Sequence, residues 1–586
     1  MNRINTFKYT LYILLFFAKQ LKDLLIFFKR IFLVELKYYN PIKLFFFSFN
    51  KNINPAYSKD FNNYTKNNYK IWKDNSHSKK NILVTSFVHA HPAYPHGNCI
   101  IGKYLQEYYN ANLIGFCDSH DKTSEIIIRS FKIKEFVYLK QKNLITQLIY
   151  FIYALNIISN FKNIYDLLNF KFNNIDLGKI VYDDVLRRSG QPTINDITFK
   201  LCLHFSKALN LSDQYKKILN KRKIEAVVQS ETQFSPSGII FQQSLVNKIP
   251  VFAREGSGKI MSIKKFSSFS ERYTARDQPS KKIFKLVFKN KRKKASKLGI
   301  KGMKSRLSGT MVEEDLVDSK WAHHNKKKYS KMQLCKKFQW SSHKPILVIF
   351  SHSLIDGNYC QGSRIFKDNL TWLRETLKHI KKIKKYNWII KPHPMDWYYK
   401  FAKTTTELEY KQILGNEKHV KICPKDLSSI SISKIVTAVV TSHGSAGIEY
   451  ACLGLPVIMA GRTSFSDLNV NFRAKTKKQY FNLIDKAHKL VKPNKIQVDK
   501  AGVSSFIYSV LNKAKNQLIP YFLYTRYVNK NKFYRDTTKL IKKYNHKEDY
   551  FKMLSFFQFK NNLSQTLNLK VLETKLNYKL KSNDLK

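Results

Sequence analysis

The chain has 586 residues, more than one hydrophobic core usually supports, so we expect at least two domains. Its hydrophobic fraction of 43% excludes disorder throughout, and only 19 Gly and 15 Pro exclude collagen-like or Pro/Gly-rich low-complexity architectures. The 104 Lys and Arg against 41 Asp and Glu give a net charge of +63. Coding bias toward A/T-rich codons is one explanation of this charge, since Asn, Ile, Phe and Tyr are abundant as well. Attraction to membrane surfaces, nucleotides or polyanionic glycans is expected whatever the origin of the charge.

The first fifty residues mix eight basic and two acidic residues with Leu, Ile and Phe. The ten uncharged residues between Lys8 and Lys19 are too few to span a membrane, which takes about 20 residues. No small-x-small cleavage site, the mark of a signal peptide, follows Ala18. The mixture is typical of a helix that lies on an anionic leaflet, and a helix packed on the protein's own domain is the alternative. Residues 143–161 are also uncharged, but their polar side chains favour a buried helix.

Strand and helix patterns alternate after the Asn- and Lys-rich stretch 51–80. Short apolar runs that contain β-branched residues predict buried strands at 81–86, 111–117, 224–229 and 250–253. Helical patterns predict helices at 97–109 and 235–246. Strands that alternate with helices indicate βαβ units and a parallel sheet.

The alternation stops at residues 281–306, which carry twelve basic residues and no acidic one. A run this biased is typical of a solvated linker or surface arm, and no zinc-finger, homeodomain or RNA-binding signature accompanies it. We therefore expect an interdomain region here. A second block follows, with strands predicted at 345–350, 387–391, 435–440 and 455–459 and a helix at 370–383. From about residue 506 onward the pattern is helical and polar.

Together these patterns predict an α/β fold with two Rossmann-like domains that face each other across a central cleft. Helical N- and C-terminal extensions flank the two domains. The expected division of the chain is 1–78 for a basic amphipathic extension, 79–280 for the first domain, 281–343 for the interdomain region, 344–495 for the second domain and 496–586 for a helical extension.

The strongest chemical signal is the segment 441–449, which directly follows a predicted strand and opens a predicted helix. Small residues there let the backbone approach a ligand, and the helix start presents unpaired N–H groups. The side-chain donors and the glycine of this turn are Ser442, His443, Gly444 and Ser445. They suit a phosphate or diphosphate, and Glu449 can accept from both ribose hydroxyls of a nucleotide. The alternative is an ordinary tight turn with polar caps, but Gly454 and Pro456 in register favour a nucleotide site.

A second signal is the segment 390–396, which also follows a predicted strand and contains Lys391-Pro-His393-Pro. Both motifs therefore emerge at the same edge of a parallel sheet, where ligands bind in such folds. The prolines fix the backbone on either side of His393, which pre-positions the imidazole at low entropic cost. We expect His393 to donate to a phosphate oxygen and to help neutralise a leaving nucleotide, unless it is only a capped loop histidine. His352, after the first strand of this block, is suggestive only.

These motifs resemble those of a known enzyme class. The spacing Glu449-x4-Gly454-x-Pro456 resembles the donor-site signature of GT-B glycosyltransferases. The Lys391-Pro-His-Pro394 step is similar to the HP motif of bacterial capsule-type transferases, including Kdo and sialic acid transferases and CDP-glycerol polymerases. Segment 178–187 is similar to one in capsule and surface-polysaccharide biosynthesis proteins. The resemblance covers roughly residues 80 to 490 and is specific for the GT-B architecture rather than for the sugar.

The resemblance implies that the C-terminal domain binds the nucleotide-activated donor and the N-terminal domain binds the acceptor. It also implies catalysis without a tightly bound metal, and no cofactor is expected beyond the donor substrate. The chain has no credible DxD motif. Its seven cysteines are scattered, with none in a CxxC pair, which indicates reduced structural thiols rather than zinc ligands or disulfides.

An inverting transferase needs a base that takes the proton of the acceptor hydroxyl, and we expect this base from the first domain. The candidates are His89, His91, His96, Asp183, Glu231 and Glu255. Spacing does not choose among them, and His91 and His96 are equally well explained as loop caps. Glu231 is favoured, because a carboxylate at the end of a buried strand is costly unless it has a use.

We therefore predict a glycosyltransferase that moves a sugar from a nucleotide-activated donor to a capsule or other surface-polysaccharide acceptor, either a glycan or lipid-linked. Lys391, His393 and the turn at 442–445 would stabilise the departing phosphate. The amphipathic N-terminus would hold the enzyme at the inner face of the cytoplasmic membrane, in peripheral contact with anionic lipid.

Three alternatives stay open. A CDP-polyol phosphotransferase and a nucleotide-sugar epimerase both keep the fold. A non-catalytic basic protein that binds membranes or polyanions would explain the charge, but it leaves the two sheet-edge motifs unexplained. No nucleic-acid partner is expected, because no recognition signature accompanies the charge.

Overall fold

The computed structural model describes most of the chain and leaves several segments outside the description. The described residues are 6–30, 58–72, 78–87, 92–119, 121–140, 143–255, 260–275, 278, 281–310, 323–362, 364–394, 396, 399, 401–415, 417–508, 514–515 and 530–543. In this part of the chain no helix is both long enough and apolar enough to cross a membrane. Residues 31–50 of the predicted membrane-contacting extension lie outside the described residues.

The first domain is built on a seven-stranded sheet. Its strands are β1 (Asn81–Ser86), β2 (Asn112–Asp118), β3 (Glu135–Leu139), β4 (Ile224–Gln229), β5 (Val251–Glu255), β6 (Ile260–Phe266) and β13 (Ala514–Lys515). They are ordered β13-β6-β5-β4-β1-β2-β3. Strands β1 to β5 pair in parallel, whereas β6 is antiparallel to both of its neighbours. The helices that precede or connect these strands are α1 (Thr6–Arg30), α2 (Lys59–Ile71), α3 (Ala93–Tyr109), α4 (Lys122–Arg129), α5 (Leu144–Ser159), α6 (Ile164–Asn169), α7 (Leu177–Ser189), α8 (Phe199–Lys221) and α9 (Ser237–Val246).

The second domain is built on a six-stranded, fully parallel sheet. Its strands are β7 (Ile346–Phe350), β8 (Asn387–Lys391), β9 (Val420–Ile422), β10 (Ala438–Thr441), β11 (Val457–Met459) and β12 (Phe472–Arg473). They are ordered β12-β11-β10-β7-β8-β9. The remaining helices are α10 (Lys281–Ser308), α11 (Lys331–Phe338), α12 (Asn369–Lys381), α13 (Thr406–Leu414), α14 (Ser429–Ile435), α15 (Ala446–Ala451), α16 (Lys477–Asp485), α17 (Lys495–Phe506) and α18 (Lys530–Lys543). The predicted α/β fold with two Rossmann-like domains is confirmed.

Both faces of each sheet are covered, which explains why the strands are continuous apolar runs. In β1, Ile82 and Val84 join the hydrophobic cluster on one face, while Leu83 joins the cluster on the other. In β7, Leu347 and Ile349 join one cluster, and Ile346 and Val348 join the opposite one. All the strands predicted from the sequence exist, within a few residues of the expected bounds. Strands β3, β6, β9, β12 and β13 were not predicted.

The basic run at 281–306 is a packed helix, not a solvated linker. Helix α10 bends at Lys291, where the backbone leaves helical geometry (φ −135°, ψ 22°). Its lysines point outward, and its apolar side is buried. The buried residues on that side include Ile283, Val287, Ala295, Met303 and Leu307. Most of this side packs along α17, so most of the charge that suggested a linker lies on the exposed part of an amphipathic helix.

The two domains are joined through α7, the helix that contains the segment 178–187. The carboxylate of Asp183 accepts two backbone N–H groups from the loop after β7, those of Asn358 (3.0 Å) and Tyr359 (2.9 Å). The Tyr182 hydroxyl donates to Asp368 of the second domain at 2.6 Å. Burial raises the pKa of Asp183 to about 7, although the two N–H donors act against this rise. This contact fixes the loop after β7 to the first domain.

Both ends of the described chain pack on the first domain. In α1, Tyr12 donates to the Ile197 carbonyl at 3.0 Å, and the ring of Phe16 stacks on Phe151 of α5. The last helix, α18, lies against α2, where the ring of Tyr534 stacks on that of Tyr64. Strand β13 is added to the edge of the first sheet, although α17, which precedes it, belongs to the second domain.

The close approach of α10 and α17 gives a stability prediction. A Cβ at Gly299 would lie 1.9 Å from the carbonyl oxygen of Gly502, whereas a Cβ at Gly302, in the same helix, meets nothing within 4 Å. Gly299→Ala should therefore lower the free energy of unfolding by about 1–3 kcal/mol through overpacking. Gly302→Ala should raise it by up to about 1 kcal/mol through helix propensity.

Chemical denaturation of both variants and the parent measures these differences. Equal effects of the two substitutions would contradict the packing of α10 on α17.

Candidate active site

Three histidines stand at equivalent positions after three neighbouring strands. Strands β10, β7 and β8 are adjacent, and their last residues, Thr441, Phe350 and Lys391, are paired in register. A histidine follows two residues after each of these ends. The three are His443, His352 and His393. Because parallel strands in register end at the same level, the imidazoles come together above one edge of the sheet.

The three imidazoles form a stack in the same order as their strands. The rings of His352 and His443 are 3.9 Å apart between centroids and 14° from parallel. The ring of His393 lies 6.1 Å from that of His352 on its other side, at 18°. His352 is therefore the central ring, although from the sequence it was only suggestive, behind His393 and His443. The common offset of two residues after each strand is the signal that would have identified it.

Burial keeps these imidazoles neutral. It lowers the pKa of His393 to about 4, and nearby Asp356 opposes the shift only in part. Burial also lowers the pKa values of His352 and His443, and the like charges of the other imidazoles and of Arg364 lower them further. Within the part of the chain that the structure describes, the Nε2 atom of His352 is buried without a hydrogen-bond partner. The stack thus offers neutral ring nitrogens to a ligand at physiological pH.

Arg364 holds the turn that follows β10. Its guanidinium donates to the hydroxyl of Ser442 at 2.6 Å and to the carbonyl of Asn358 at 2.8 Å. The Ser442 hydroxyl lies 3.2 Å from Nδ1 of His443. Asn358 is the residue whose N–H binds Asp183 across the domain boundary. A continuous set of hydrogen bonds therefore leads from the first domain to the histidine stack.

Gly444 leaves room for the central imidazole. A Cβ at this position would lie 3.0 Å from Nε2 of His352 and 3.1 Å from Oγ1 of Thr441. The position does not require a left-handed backbone, so the reason for glycine here is the close approach of the ring.

A cleft of ≈ 980 Å³ lies at this sheet edge, and Gln233 of the first domain contributes to its wall. Charged side chains of both signs line it. The basic residues are Arg306, Lys326, Lys391 and Lys425, and the acidic residues are Asp356, Asp396, Glu407 and Glu449. Arg187 of α7 forms an ion pair with Asp356, so the first domain also orients this carboxylate. The lining combines cations and neutral donors suited to phosphate with carboxylates suited to hydroxyl groups.

Glu449 lies at one side of this cleft and is largely buried. A guanidinium nitrogen of Arg306 is 3.5 Å from its carboxylate. Arg306 belongs to the last turns of α10, so the basic segment supplies a cation to the cleft, which the sequence did not suggest. Among the described residues, the Nε atom of Arg306 has no hydrogen-bond partner.

Most of the residues predicted for the donor site line the cleft. They are Lys391, His393, His443, Gly444, Ser445 and Glu449. Ser442 lies just behind them and supports the turn. Glu231 is not among the lining residues. One of its carboxylate oxygens accepts the N–H groups of Thr232 (2.7 Å) and Gln233 (3.0 Å).

Two further candidates for the base are occupied elsewhere, and His91 lies outside the described residues. His96 is buried in the core of the first domain, where its Nδ1 lies 2.8 Å from the Tyr64 hydroxyl. Asp183 holds the interdomain loop. In contrast, Asp396 lines the cleft, and burial raises its pKa to about 7. Its Oδ2 has no hydrogen-bond partner within the described residues.

All seven cysteines lie in described parts of the chain and are free thiols, six of them buried. In the same described ranges, no three His, Cys, Asp or Glu side chains are grouped so that they could hold a metal ion.

No protein-family model and no curated protein matches the chain. Solved structures with some similarity include the KpsC β-Kdo 2,4-transferase of Thermosulfurimonas dismutans, 10% identical over 48% of this chain and 79% of that one, with a TM-score of 0.29. UDP-GlcNAc 2-epimerase of Neisseria meningitidis, bound to UDP-GlcNAc, is 11% identical over 72% and 97%, with a TM-score of 0.22. MurG of Acinetobacter baumannii is 8% identical over 73% and 95%, with a TM-score of 0.22. Likenesses this weak carry no argument about function.

The neutral histidine stack gives a pH prediction. The lowered pKa values mean that the unfolded chain takes up protons before the folded one, so the stack costs stability as pH falls from about 6.5 toward about 4. The raised pKa values of Asp183, Asp184 and Asp396 act in the opposite direction over a similar range. Both the parent and His352→Gln carry these carboxyl groups. The difference between their free energies of unfolding therefore excludes the carboxyl contributions.

We expect the free energy of unfolding of His352→Gln to fall less steeply than that of the parent between pH 6.5 and 4. Urea denaturation at a series of pH values measures both slopes. Parallel curves over this range would contradict a stack whose imidazoles stay neutral in the folded protein.

Proposed function

We propose that this protein is a GT-B-type glycosyltransferase that moves a sugar from a nucleotide-activated donor to a capsule or other surface-polysaccharide acceptor. The observation that supports this most directly is the composition of the cleft between the two domains. Three neutral imidazoles, Lys391 and the turn at 442–445 converge there at the carboxyl edge of a parallel sheet. Such edges are where open α/β sheets bind ligands, and this donor set suits phosphate oxygens.

In this proposal the second domain holds the donor. The diphosphate or phosphate lies against the turn and the histidine stack, where His393 and Lys391 donate to its oxygens. Neutral imidazoles supply directed donors, while the four basic side chains of the cleft supply the compensating charge. Glu449 would accept from the ribose hydroxyls, and the ion pair with Arg306 would orient its carboxylate.

Bond cleavage at the sugar develops negative charge on the departing phosphate, and the same donors stabilise it. The acceptor hydroxyl must lose its proton to a base near the sugar carbon. Asp396 is a better placed base than Glu231, because it lines the cleft and has a pKa raised to about 7. Glu231 and His91 remain proposals from the sequence.

A CDP-polyol phosphotransferase of the same fold is the second candidate. The paired histidines that such enzymes place near their reaction centre are matched here by a stack of three. For either activity the acceptor would be a glycan or lipid-linked, and we propose peripheral contact with the anionic inner leaflet. The non-catalytic alternative leaves the histidine stack without a role.

Nucleotide binding tests the donor site. We expect thermal stabilisation of the purified protein by one of CMP, CDP, UDP or GDP at moderate salt. A ligand at 100 times its dissociation constant adds about 2.7 kcal/mol if it binds only the folded state. CMP alone would indicate a Kdo- or sialic-acid-type donor, UDP or GDP a hexose donor, and CDP alone the polyol-phosphate candidate.

His393→Ala and Glu449→Ala should each weaken binding of that nucleotide by roughly tenfold or more, through the loss of a buried hydrogen bond. His343→Ala, an exposed histidine in the same domain, is the matched control and should bind as the parent does. No stabilisation by any nucleotide, or parent-like binding by both site variants, would overturn the donor site.

Asp396→Asn separates chemistry from binding. The variant should keep nucleotide affinity within about threefold, because the amide keeps the size of the side chain and Asp396 is not among the predicted phosphate donors. It should lose transfer by roughly 10²–10⁴-fold, since a general base contributes about this factor. The assay is transfer from a sugar donor that carries the nucleotide identified above, and parent-like turnover would exclude Asp396 as the base.

A further inference from the structure

Helix α1 exposes an apolar face that the rest of the described chain does not cover. Its exposed large apolar side chains are Phe7, Leu11, Leu14, Leu15, Phe17, Leu21 and Leu25, and Phe7 is 75% exposed. At about 100° per residue they span an arc of about 160°. The opposite side of the helix is anchored on the first domain through Tyr12 and Phe16. The exposed face is therefore held in a fixed orientation.

Helix α5 exposes a second apolar face beside the first. The sequence predicted a buried helix here, and its inner side, with Phe151 and Leu155, is indeed in the core. Its outer side exposes Ile145 (70%), Ile149 and Tyr153. The chain carries no charged residue between positions 143 and 161. An exposed uncharged helix face of this kind needs a partner that is apolar.

The two faces adjoin, because the helices lie antiparallel and are linked along their length. The Tyr9 hydroxyl donates to Asn156 at 2.9 Å, and the side-chain amide of Gln20 donates to that of Gln147 at 3.3 Å. Asn156 belongs to the exposed side of α5. The surface, here called the α1–α5 face, is therefore two helices wide.

The charges around the α1–α5 face indicate which kind of partner it binds. Lys8, Lys19 and Lys22 follow one edge of the apolar arc of α1, and the helix has one acidic residue, Asp23, which pairs with Lys19. A surface that binds a partner helix would present a narrow apolar seam, flanked by charges of both signs. A broad apolar face with lysines on its border matches an anionic bilayer, in which the lysine stems reach the headgroups.

We propose that the α1–α5 face docks the protein on anionic phospholipid, with both helices lying in the plane of the interface. The sequence suggested membrane contact by the N-terminal extension only. The structure adds a helix of the first domain itself, so the domain is oriented with respect to the bilayer rather than tethered to it. The inference rests on the proposed function only in assigning the acceptor to that bilayer.

Flotation of the full-length protein with vesicles tests the proposal. We expect binding to vesicles of phosphatidylcholine and phosphatidylglycerol, and much weaker binding to phosphatidylcholine alone. Leu14→Ser/Leu21→Ser in α1 and Ile145→Ser/Ile149→Ser in α5 should each lower the partition coefficient by roughly tenfold, because each removes two large apolar side chains from the lipid contact. Met332→Ser/Val491→Ser, two comparably exposed apolar residues elsewhere, should bind vesicles as the parent does.

Loss of binding in the α1 variant alone would overturn the two-helix face, and parent-like binding by both variants would overturn docking altogether. Equal binding to neutral and anionic vesicles would overturn the role of the lysines. If sedimentation shows that the parent is a dimer and that the same substitutions dissociate it, the face would instead be assigned to binding a second copy of the chain. Nucleotide stabilisation without vesicles should be unchanged in all variants, so failure of docking and failure of the proposed function are distinguishable.

Discussion

The candidate site depends on one constraint, the common level at which in-register parallel strands end. Thr441, Phe350 and Lys391 share that level, and each is followed two residues later by a histidine. The spacing of neighbouring strands, about 4.8 Å, is then enough to bring the three imidazoles to stacking distance. A one-residue slip of a strand would turn its side chains to the opposite face of the sheet. The histidine stack therefore forms only in the observed register.

The same constraint makes the site sensitive to the position of the first domain. Hydrogen bonds run from Asp183 to the backbone of Asn358, from the Asn358 carbonyl to Arg364, and from Arg364 to Ser442. The turn that carries the donor residues is thus supported by a chain that begins in the other domain. A movement of the domains about the cleft would therefore change the position of the turn through these hydrogen bonds, even where no direct contact across the cleft changed.

Much of the fold was predictable, because strands buried on both faces are unbroken apolar runs. Strands β9 and β12, of three and two residues, are too short to leave such a pattern. The helical nature of α10 was hidden by its lysines, and its partner α17 lies some two hundred residues later, where no local pattern can reveal it. His393 and the turn at 442–445 were found from neighbouring residues in the sequence. His352 and Asp396 acquire their significance only from the other strands beside them and from burial, which the sequence does not show.

The C-terminal residues give the first domain an unusual dependence on the order of synthesis. Phe533, Tyr534 and Ile541 of α18 are part of its hydrophobic core, together with Phe61 and Tyr64 of α2. Strand β13 extends its sheet. On the ribosome, domains commonly fold in order as they emerge. Here the first domain cannot complete its core until α18 has been made, so the second domain would be finished while the first still exposes apolar surface.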